Sequence, residues 1–162
     1  MTKEHQSDRR TFMGAGLGAA ALLTMLDSTR AEAIHHDQEN EFAEAEAANE
    51  KIVNDFCASF KTLDIEKITS YLADDCTFRM IETTPRMEGK EAIVTGMKSF
   101  LATAKSAEFE MIRSAAMGSI VINERIDHFD MGERQNAFHI VGIFFVRDGK
   151  IQEWQDYTMP KV

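Results

Sequence analysis

The apolar residues of this chain follow a helical period in its first part and an alternating period in its second. Three segments between residues 49 and 101 have apolar side chains three and four positions apart, which is typical of helices with one buried face. Asp64 precedes the second segment and is a common helix N-cap residue. We therefore predict one helix from Asn49, a second that ends at Asp74-Asp75, and a third after Gly89. The side chains predicted to face inward are Ile52, Val53, Phe56, Cys57, Phe60, Ile65, Ile68, Tyr71, Leu72, Ile93, Val94, Met97, Phe100 and Leu101.

Beyond the third helix the apolar and polar residues alternate, and this pattern predicts a run of strands. Asp148-Gly149 lies between two of them and is a strong hairpin signal. Pro85 and Gly89 interrupt any regular pattern, so residues 82–89 are predicted to be a loop. The strands are expected at residues 76–81, 107–115, 118–129, 135–147 and 150–158.

Helices followed by antiparallel strands predict an α+β domain, in which three N-terminal helices pack on one face of a curved, mostly antiparallel sheet. Such a sheet forms a cone. The open mouth of a cone is a natural pocket for a ligand, so a small molecule is the expected partner of this domain.

The first 33 residues have the features of an export signal rather than of a folded domain. Arg9 and Arg10 precede a mildly apolar run from Gly14 to Leu26 and the small-residue sequence Ala31-Glu32-Ala33. This order resembles a bacterial twin-arginine signal, and the apolar run is too short and too rich in glycine for a stable membrane span. The twin-arginine export machinery is therefore the expected partner of the precursor. We expect 1–33 to be the signal peptide, 34–48 to be a polar leader and 49–162 to be one periplasmic domain.

The acidic charge of the chain belongs to the part that remains after export. Basic and acidic residues balance within 1–33, so the rest of the chain carries the net charge of −9. An acidic domain repels phosphate backbones, which argues against a nucleic-acid partner. Cys57 and Cys76 are predicted to be small buried hydrophobes, although the periplasm would permit a disulfide. Two cysteines argue against a zinc site, and the sequence implies no metal or cofactor.

Charged residues on two of the predicted strands form the candidate chemistry. Arg125 and Asp127 are two positions apart, so they lie on one face of their strand, and Asp156 lies on a second strand. If the two strands are close, two carboxylates and one guanidinium share a pocket. The arginine can then bridge both carboxylates while their pKa values are pushed apart, which suits acid–base chemistry. The alternative is a buried ion pair with a structural role.

The order of elements resembles the NTF2-like, or cystatin-like cone, superfamily, and from Asn49 to Tyr157 the chain is most similar to limonene-1,2-epoxide hydrolases. Two short sequences carry this resemblance, Glu124-Arg125-Ile126-Asp127 and Trp154-Gln155-Asp156-Tyr157. The resemblance implies one-step opening of an epoxide. It makes Asp127 the acid that protonates the epoxide oxygen, Asp156 the base that deprotonates water, and Arg125 the group that holds the two together. One shared proton suits this division of roles.

The sequence departs from that family where the attacking water is held. The family positions its water with a tyrosine and an asparagine on the strand after the second helix. Phe78 and Met80 occupy those places here, or Arg79 and Ile81 in an alternative alignment, and neither pair restores the lost hydrogen-bonding groups. Glu82 is a nearby polar residue that could compensate. We expect weak hydrolysis, and the alternatives are a water-independent lyase, dehydratase or isomerase, or a non-catalytic ligand-binding dimer.

Other residues are candidates for the pocket wall and for assembly. Trp154 shares a strand face with Asp156, although the core is the commoner place for tryptophan. His139 lies in an apolar strand and is either a core histidine or a pocket acid–base group. Strand 135–147 has apolar residues on both faces, so we expect a homodimer that covers the outer face. The predicted binding residues for a small apolar substrate are Phe78, Met80, Glu82, His139 and Trp154.

Overall fold

In the computed structural model of the protein, the backbone is described for residues 17–160 and the side chains for residues 38–160. The chain divides into two compact units, residues 1–41 and residues 42–162. The arginine pair of the proposed export signal lies outside the described residues, so export stays a prediction. Within the described part of the chain, no helix is both long enough and apolar enough to cross a membrane.

The described residues form three α-helices, a single 3-10 turn and six strands. Asp64 caps the second helix as predicted, because its carboxylate accepts hydrogen bonds from the backbone N–H groups of Glu66 and Lys67 at 2.9 and 3.2 Å. The elements are α1 Leu17–Ser59, the 3-10 turn Phe60–Thr62, α2 Ile65–Thr69, β1 Leu72–Arg79, β2 Met87–Glu88, α3 Lys90–Leu101, β3 Ser106–Met117, β4 Ile120–Asp130, β5 Gln135–Arg147 and β6 Lys150–Thr158.

The six strands form one sheet in the order β2-β1-β6-β5-β4-β3. Only the β1–β6 pairing is parallel, and the other four pairings are antiparallel, so the predicted α+β fold with a curved, mostly antiparallel sheet is confirmed. The register brings three residues into one row across the sheet. Asn123 of β4 pairs with Gly142 of β5, and Gly142 pairs with Asp156 of β6. This row places the two candidate strands on either side of a residue that has no side chain.

Three boundaries differ from those that the sequence predicts. Helix α1 begins well before Asn49, since polar residues with good helix propensity extend it beyond its apolar face. Helix α2 ends at Thr69, and Asp74-Asp75 lie in β1, because Leu72 pairs with Ile151 of β6. The predicted loop 82–89 contains β2, which is held by two residue pairs with β1. Helix propensity without an apolar stripe sets the start of α1. Strand pairing between segments distant in sequence sets the other two boundaries.

The core lies between the helices and the concave face of the sheet. Phe56 of α1 packs edge-to-face on Trp154 of β6 with ring centroids 4.9 Å apart, which ties the longest helix to the middle of the sheet. Cys57 and Cys76 are buried free thiols, as predicted, and burial raises the pKa of each to about 12. The fully buried apolar side chains include Val53, Phe56, Ile68, Leu72, Ile93, Val121, Phe144 and Ile151.

Candidate active site

A cavity of about 340 Å³ opens between α3 and the concave face of the sheet. Its described lining is apolar apart from three polar side chains, those of Asp127, Asp156 and Thr158. This is the usual composition of a small-molecule pocket, in which a few polar groups orient an apolar ligand. The other lining residues are Phe60, Phe78, Met80, Ile81, Met87, Gly96, Met97, Phe100, Phe109, Phe129, Phe138, Ile140 and Trp154.

Arg125 joins the two carboxylates beside this cavity. It is the largest fully buried side chain among the described residues, and none of its guanidinium is exposed. Its Nε donates to Asp127 Oδ1 at 2.8 Å, and its Nη2 donates to Asp156 Oδ2 at 2.7 Å and to Asp127 Oδ2 at 3.2 Å. One guanidinium therefore holds two buried carboxylates within reach of one ligand.

The far side of Arg125 is fixed by neutral groups. Its Nη1 donates to Asn123 Oδ1 at 2.8 Å, and the Asn123 amide reaches the Cys57 sulfur at 3.5 Å. The ring of Phe109 stacks on the guanidinium, with its centroid 4.8 Å from Cζ. Gly142 leaves the space for this arrangement, since a Cβ there would collide with Arg125 Nη1 and would lie 2.8 Å from Asn123 Oδ1. The arginine is thus held in one orientation on every side.

The two carboxylates differ in their hydrogen bonds. Asp156 Oδ1 accepts a hydrogen bond from the indole N–H of Trp154 at 2.8 Å, in addition to the bond from Arg125. The donor bonds to Asp127 come from Arg125. A donor to a carboxylate stabilises its ionised form, so Trp154 favours the charged state of Asp156. Each carboxylate thus accepts two hydrogen bonds, Asp127 from one donor residue and Asp156 from two.

Burial dominates the titration of the cluster. It raises the pKa of Asp127 to about 6, against the opposing charge and hydrogen bonds of Arg125. Burial also raises the pKa of Asp156, against Arg125 and the Trp154 N–H. Burial alone would lower the pKa of Arg125, but the charges of Asp156 and Asp127 raise it, so the arginine stays protonated. The cluster of one cation and two carboxyl groups has no net charge when the two carboxyl groups share a single proton.

The structure brings some of the predicted binding residues together and separates others. Phe78, Met80 and Trp154 line the cavity, and Phe78 stacks on Trp154 with centroids 3.7 Å apart. His139 does not line it. Its neighbour Ile140 points inward, so the histidine lies on the opposite face of β5, where its Nε2 is 2.7 Å from Glu124 Oε1. Glu82 is exposed beyond the end of β1 and contacts Thr158 instead of lining the cavity.

Sequence analysis missed two polar residues of the site. Asn123 lies two positions before Arg125, and Thr158 lies two positions after Asp156, so the same strand alternation that linked the charged residues could have found both. The described residues contain no group of three or more His, Cys, Asp or Glu side chains placed to hold a metal ion.

The fold and this cavity define an α+β cone protein with an acid–base cluster in an apolar pocket. Residues 47–159 match the family described as the limonene-1,2-epoxide hydrolase catalytic domain. The chain belongs to that family.

Individual relatives agree with this assignment. The chain is 27% identical over 105 residues to epoxide hydrolase EphG of Mycobacterium tuberculosis (strain ATCC 25618 / H37Rv), covering 65% of this chain and 69% of the relative. The solved structure of an M. tuberculosis LEH-like epoxide hydrolase superposes with a TM-score of 0.64 at 24% identity, over 70% of this chain and 84% of that one. A protein with a ketosteroid isomerase-like fold from Catenulispora acidiphila DSM 44928, in complex with trimethylamine, gives 0.59 at 18% identity, over 65% and 83%. Both structures are likenesses of fold.

Proposed function

We propose that the protein hydrolyses a small apolar epoxide to a diol with Asp127, Arg125 and Asp156. The observation that carries this proposal is the buried guanidinium that holds both carboxylates at the wall of an otherwise apolar cavity. Membership of the limonene-1,2-epoxide hydrolase family and the similarity to epoxide hydrolase EphG support it.

The reaction balances within this cluster. Asp127 gives its proton to the epoxide oxygen while one C–O bond of the ring breaks. A water oxygen forms the new C–O bond at that carbon, and one proton of the water passes to Asp156. The products are the diol, an ionised Asp127 and a protonated Asp156, and return of the proton through solvent restores the starting state.

The family resemblance supports this division of roles, and the hydrogen bonds are compatible with it. Each carboxylate accepts two of them, and the N–H of Trp154 helps to stabilise Asp156 in the ionised form that a base needs. Asp127 has Arg125 as its donor and a pKa raised by burial to about 6, so it holds a proton at mildly acidic pH and can act as the acid.

The cavity favours a small substrate without polar substituents. Its volume of about 340 Å³ is near the lower end of the range for ligand pockets, roughly 300–1,000 Å³. A second polar group on the substrate would lose its hydration against the apolar lining without gaining a partner, which is unfavourable. A compact hydrocarbon epoxide satisfies both conditions.

One observation favours a second function. Phe78 and Met80 line the cavity on the β1 side, where the resemblance places the residues that hold water. A lyase or dehydratase takes a proton from carbon and protonates the oxygen that leaves as a C=C bond forms, and an isomerase moves a proton from one carbon to another. None of these reactions uses an attacking water. The same two carboxylates could serve that chemistry.

Solvent labelling separates these functions. A hydrolase acting on 1-methylcyclohexene oxide in ¹⁸O-labelled water puts one labelled oxygen into the diol, whereas a lyase or isomerase puts none into its product. The Asp127→Asn variant is the control for uncatalysed hydrolysis. Consumption of the epoxide by the wild-type protein with unlabelled product would reject hydrolysis and favour the second function.

We also propose that the protein is a homodimer through the outer face of the sheet. Phe145 and Tyr157 lie on that face and are 40% and 37% exposed. Val141, which pairs with Tyr157, and Ile143 lie on the same face of β5 as Phe145. A contiguous apolar surface of this kind is stabilised by a second copy. Light scattering at micromolar concentration should give twice the mass of one chain, and a monomer would contradict the proposal.

Export of the precursor through the twin-arginine route is likewise a proposal, supported by the sequence of residues 1–33. Replacing Arg9 and Arg10 by lysine should leave folded, uncleaved protein in the cytoplasm. Normal delivery of that variant to the periplasm would reject the proposal.

A further inference from the structure

The third polar side chain of the cavity has no role in the mechanism so far. Thr158 lies two positions after Asp156 on β6, so both side chains project from the same face of the strand. Across the sheet, Thr158 pairs with Ile140, which pairs with Arg125. The threonine therefore lies beside the charged cluster, on the side that is nearer the end of the strand.

The hydroxyl of Thr158 faces the carboxylate of Glu82. Its Oγ1 lies 3.3 Å from Glu82 Oε1, and its backbone N–H points to Glu82 Oε2 at 3.5 Å. A hydroxyl has one proton and two acceptor lone pairs. When the proton is donated to Glu82, the lone pairs of Oγ1 are left to accept a hydrogen bond from another group.

Resting on the proposed hydrolytic function, we infer that Thr158 binds the attacking water together with Asp156. The water donates one O–H to the Asp156 carboxylate and the other to Thr158 Oγ1, which leaves a lone pair on its oxygen for attack. Residues two positions apart on a strand are roughly 6.6 Å apart along the chain. Both side chains extend from these backbone positions into the same cavity. A water with two hydrogen bonds of about 2.8 Å joins oxygens up to roughly 5.6 Å apart, so one water can bridge the carboxylate and the hydroxyl.

This assignment accounts for the apolar side chains on β1. Arg79 pairs with Gln155 in the parallel ladder, so Met80 follows beside Asp156, and it offers no donor or acceptor strong enough to hold a water. Thr158 provides an acceptor from β6 itself. Glu82 contacts Thr158 but does not itself line the cavity, so it acts as a positioning residue through Thr158.

Two substitutions of Thr158 test the inference by hydrolysis of 1-methylcyclohexene oxide in ¹⁸O-labelled water. Thr158→Val keeps the β-branched shape but removes the hydroxyl, and it should lower kcat roughly 10- to 100-fold with KM changed by no more than about twofold. Thr158→Ser keeps the hydroxyl and should retain kcat within about threefold. A Thr158→Val variant as fast as the wild type, or a Thr158→Ser variant as slow as Thr158→Val, overturns the assignment.

The role of Glu82 is tested by non-additivity. Glu82→Ala should lower kcat by a smaller factor, and it should lower kcat little further when Thr158→Val is already present, because both changes act on one hydroxyl. Full multiplication of the two effects would show that Glu82 acts elsewhere. Thr95→Val is the matched control, since Thr95 is exposed on α3, donates to the Glu91 carbonyl and does not line the cavity.

A crystal structure at high resolution separates this inference from the proposed function. An ordered water between Thr158 Oγ1 and the Asp156 carboxylate that is absent in Thr158→Val supports the inference. If the wild-type protein has this water but converts no epoxide, the proposed function alone is rejected. Hydrolysis by the wild type that is undiminished in Thr158→Val keeps the function and overturns the inference. An inactive wild type with no ordered water at this place rejects both.

Discussion

The two walls of the cavity differ in what they contribute. The wall formed by β4 and β6 carries Arg125, Asp127 and Asp156, which are buried and joined by hydrogen bonds of 2.7 to 3.2 Å. The second wall, formed by β1 and the residues after it, β2 and α3, is lined by apolar side chains of adaptable shape, such as Met80, Met87 and Met97. In the proposed function the first wall moves protons and holds the water, and the second wall determines which substrate fits the cavity.

The walls also differ in how much change each can tolerate. A buried charge is stable when every partner is present, so removing one member of the Arg125 cluster leaves an uncompensated charge. An apolar wall needs a suitable volume, and exchange between apolar side chains of similar size usually costs less than about 1.5 kcal/mol. Substitutions on the charged wall should therefore abolish function, while those on the apolar wall should adjust it.

The largest expected effect is on catalysis by the two carboxylates. Asp127→Asn and Asp156→Asn should each lower kcat/KM on an accepted epoxide roughly 10²- to 10⁴-fold, because an amide keeps the shape but transfers no proton. Circular dichroism should show a retained fold. Asp74→Asn, at an exposed position of β1, is the control and should leave turnover unchanged. Normal turnover by both cavity variants would show that the cluster is structural.

The second expected effect is on stability. Arg125→Ala should lower the free energy of unfolding by roughly 3–5 kcal/mol, because Asp127 and Asp156 are left buried without their cation. Gly142→Ala should destabilise through the same cluster, since the added methyl group displaces the Arg125 guanidinium. Denaturant titration measures both.

Arg113→Ala is the matched control for the arginine. Its side chain is 76% exposed and pairs with Glu124 at 2.6 Å, so its loss should cost less than about 1 kcal/mol. If Arg125→Ala and Arg113→Ala lowered the free energy of unfolding equally, the buried cluster would contribute no more to stability than a surface ion pair.

The third expected effect is the dependence of stability on pH. Burial raises the pKa of Asp127 from 3.8 to about 6, so between these pH values the folded protein holds a proton that the unfolded chain releases. The free energy of unfolding should then fall as the pH rises through this window, by roughly 3 kcal/mol in total, and the contribution should be constant above it. Denaturant titration at pH 4 and pH 7 should show a smaller fall for Asp127→Asn. Identical pH dependence in both proteins would contradict the raised pKa.

Most of the fold could be predicted because local patterns determine it. Alternation predicted the four long strands and placed Arg125 and Asp127 on one strand face, and Asp64 marked the start of α2. The end of α2 could not be predicted, because Ile65, Ile68 and Leu72 fit a helical face although Leu72 pairs in the sheet. The pattern of apolar residues within a segment does not show which distant strand that segment pairs with.

The site was predicted less completely for a related reason. Alternation states which face a side chain occupies, but β5 has apolar residues on both faces, so the sequence alone left the direction of His139 open. The contact of Glu82 with Thr158 depends on where the chain turns after β1. The need for Gly142 depends on the row that it forms with Asn123 and Asp156, which exists only in the folded sheet.

The smallest expected effect is a gain of hydrolysis from the apolar wall. Phe78→Tyr together with Met80→Asn adds hydrogen-bonding groups beside Asp156 and should raise kcat roughly fivefold, since one added hydrogen bond contributes about 1 kcal/mol. Tyrosine retains the ring that stacks on Trp154 at 3.7 Å, so the wall keeps its shape. Diol formation in labelled water measures the gain.

A control on the same wall shows whether position or polarity matters. Met87→Asn introduces the same amide on β2, where Met87 pairs with Phe78. Strand β1 separates β2 from β6, so this amide is far from Asp156 and should give no gain in kcat. An equal gain from Met87→Asn would show that polarity alone matters. No labelled diol from either the wild type or the double variant, in a protein that still binds the epoxide, would indicate that the apolar wall serves chemistry without water. The charged wall would then move a proton within the substrate, and the difference between the walls would define a lyase or isomerase.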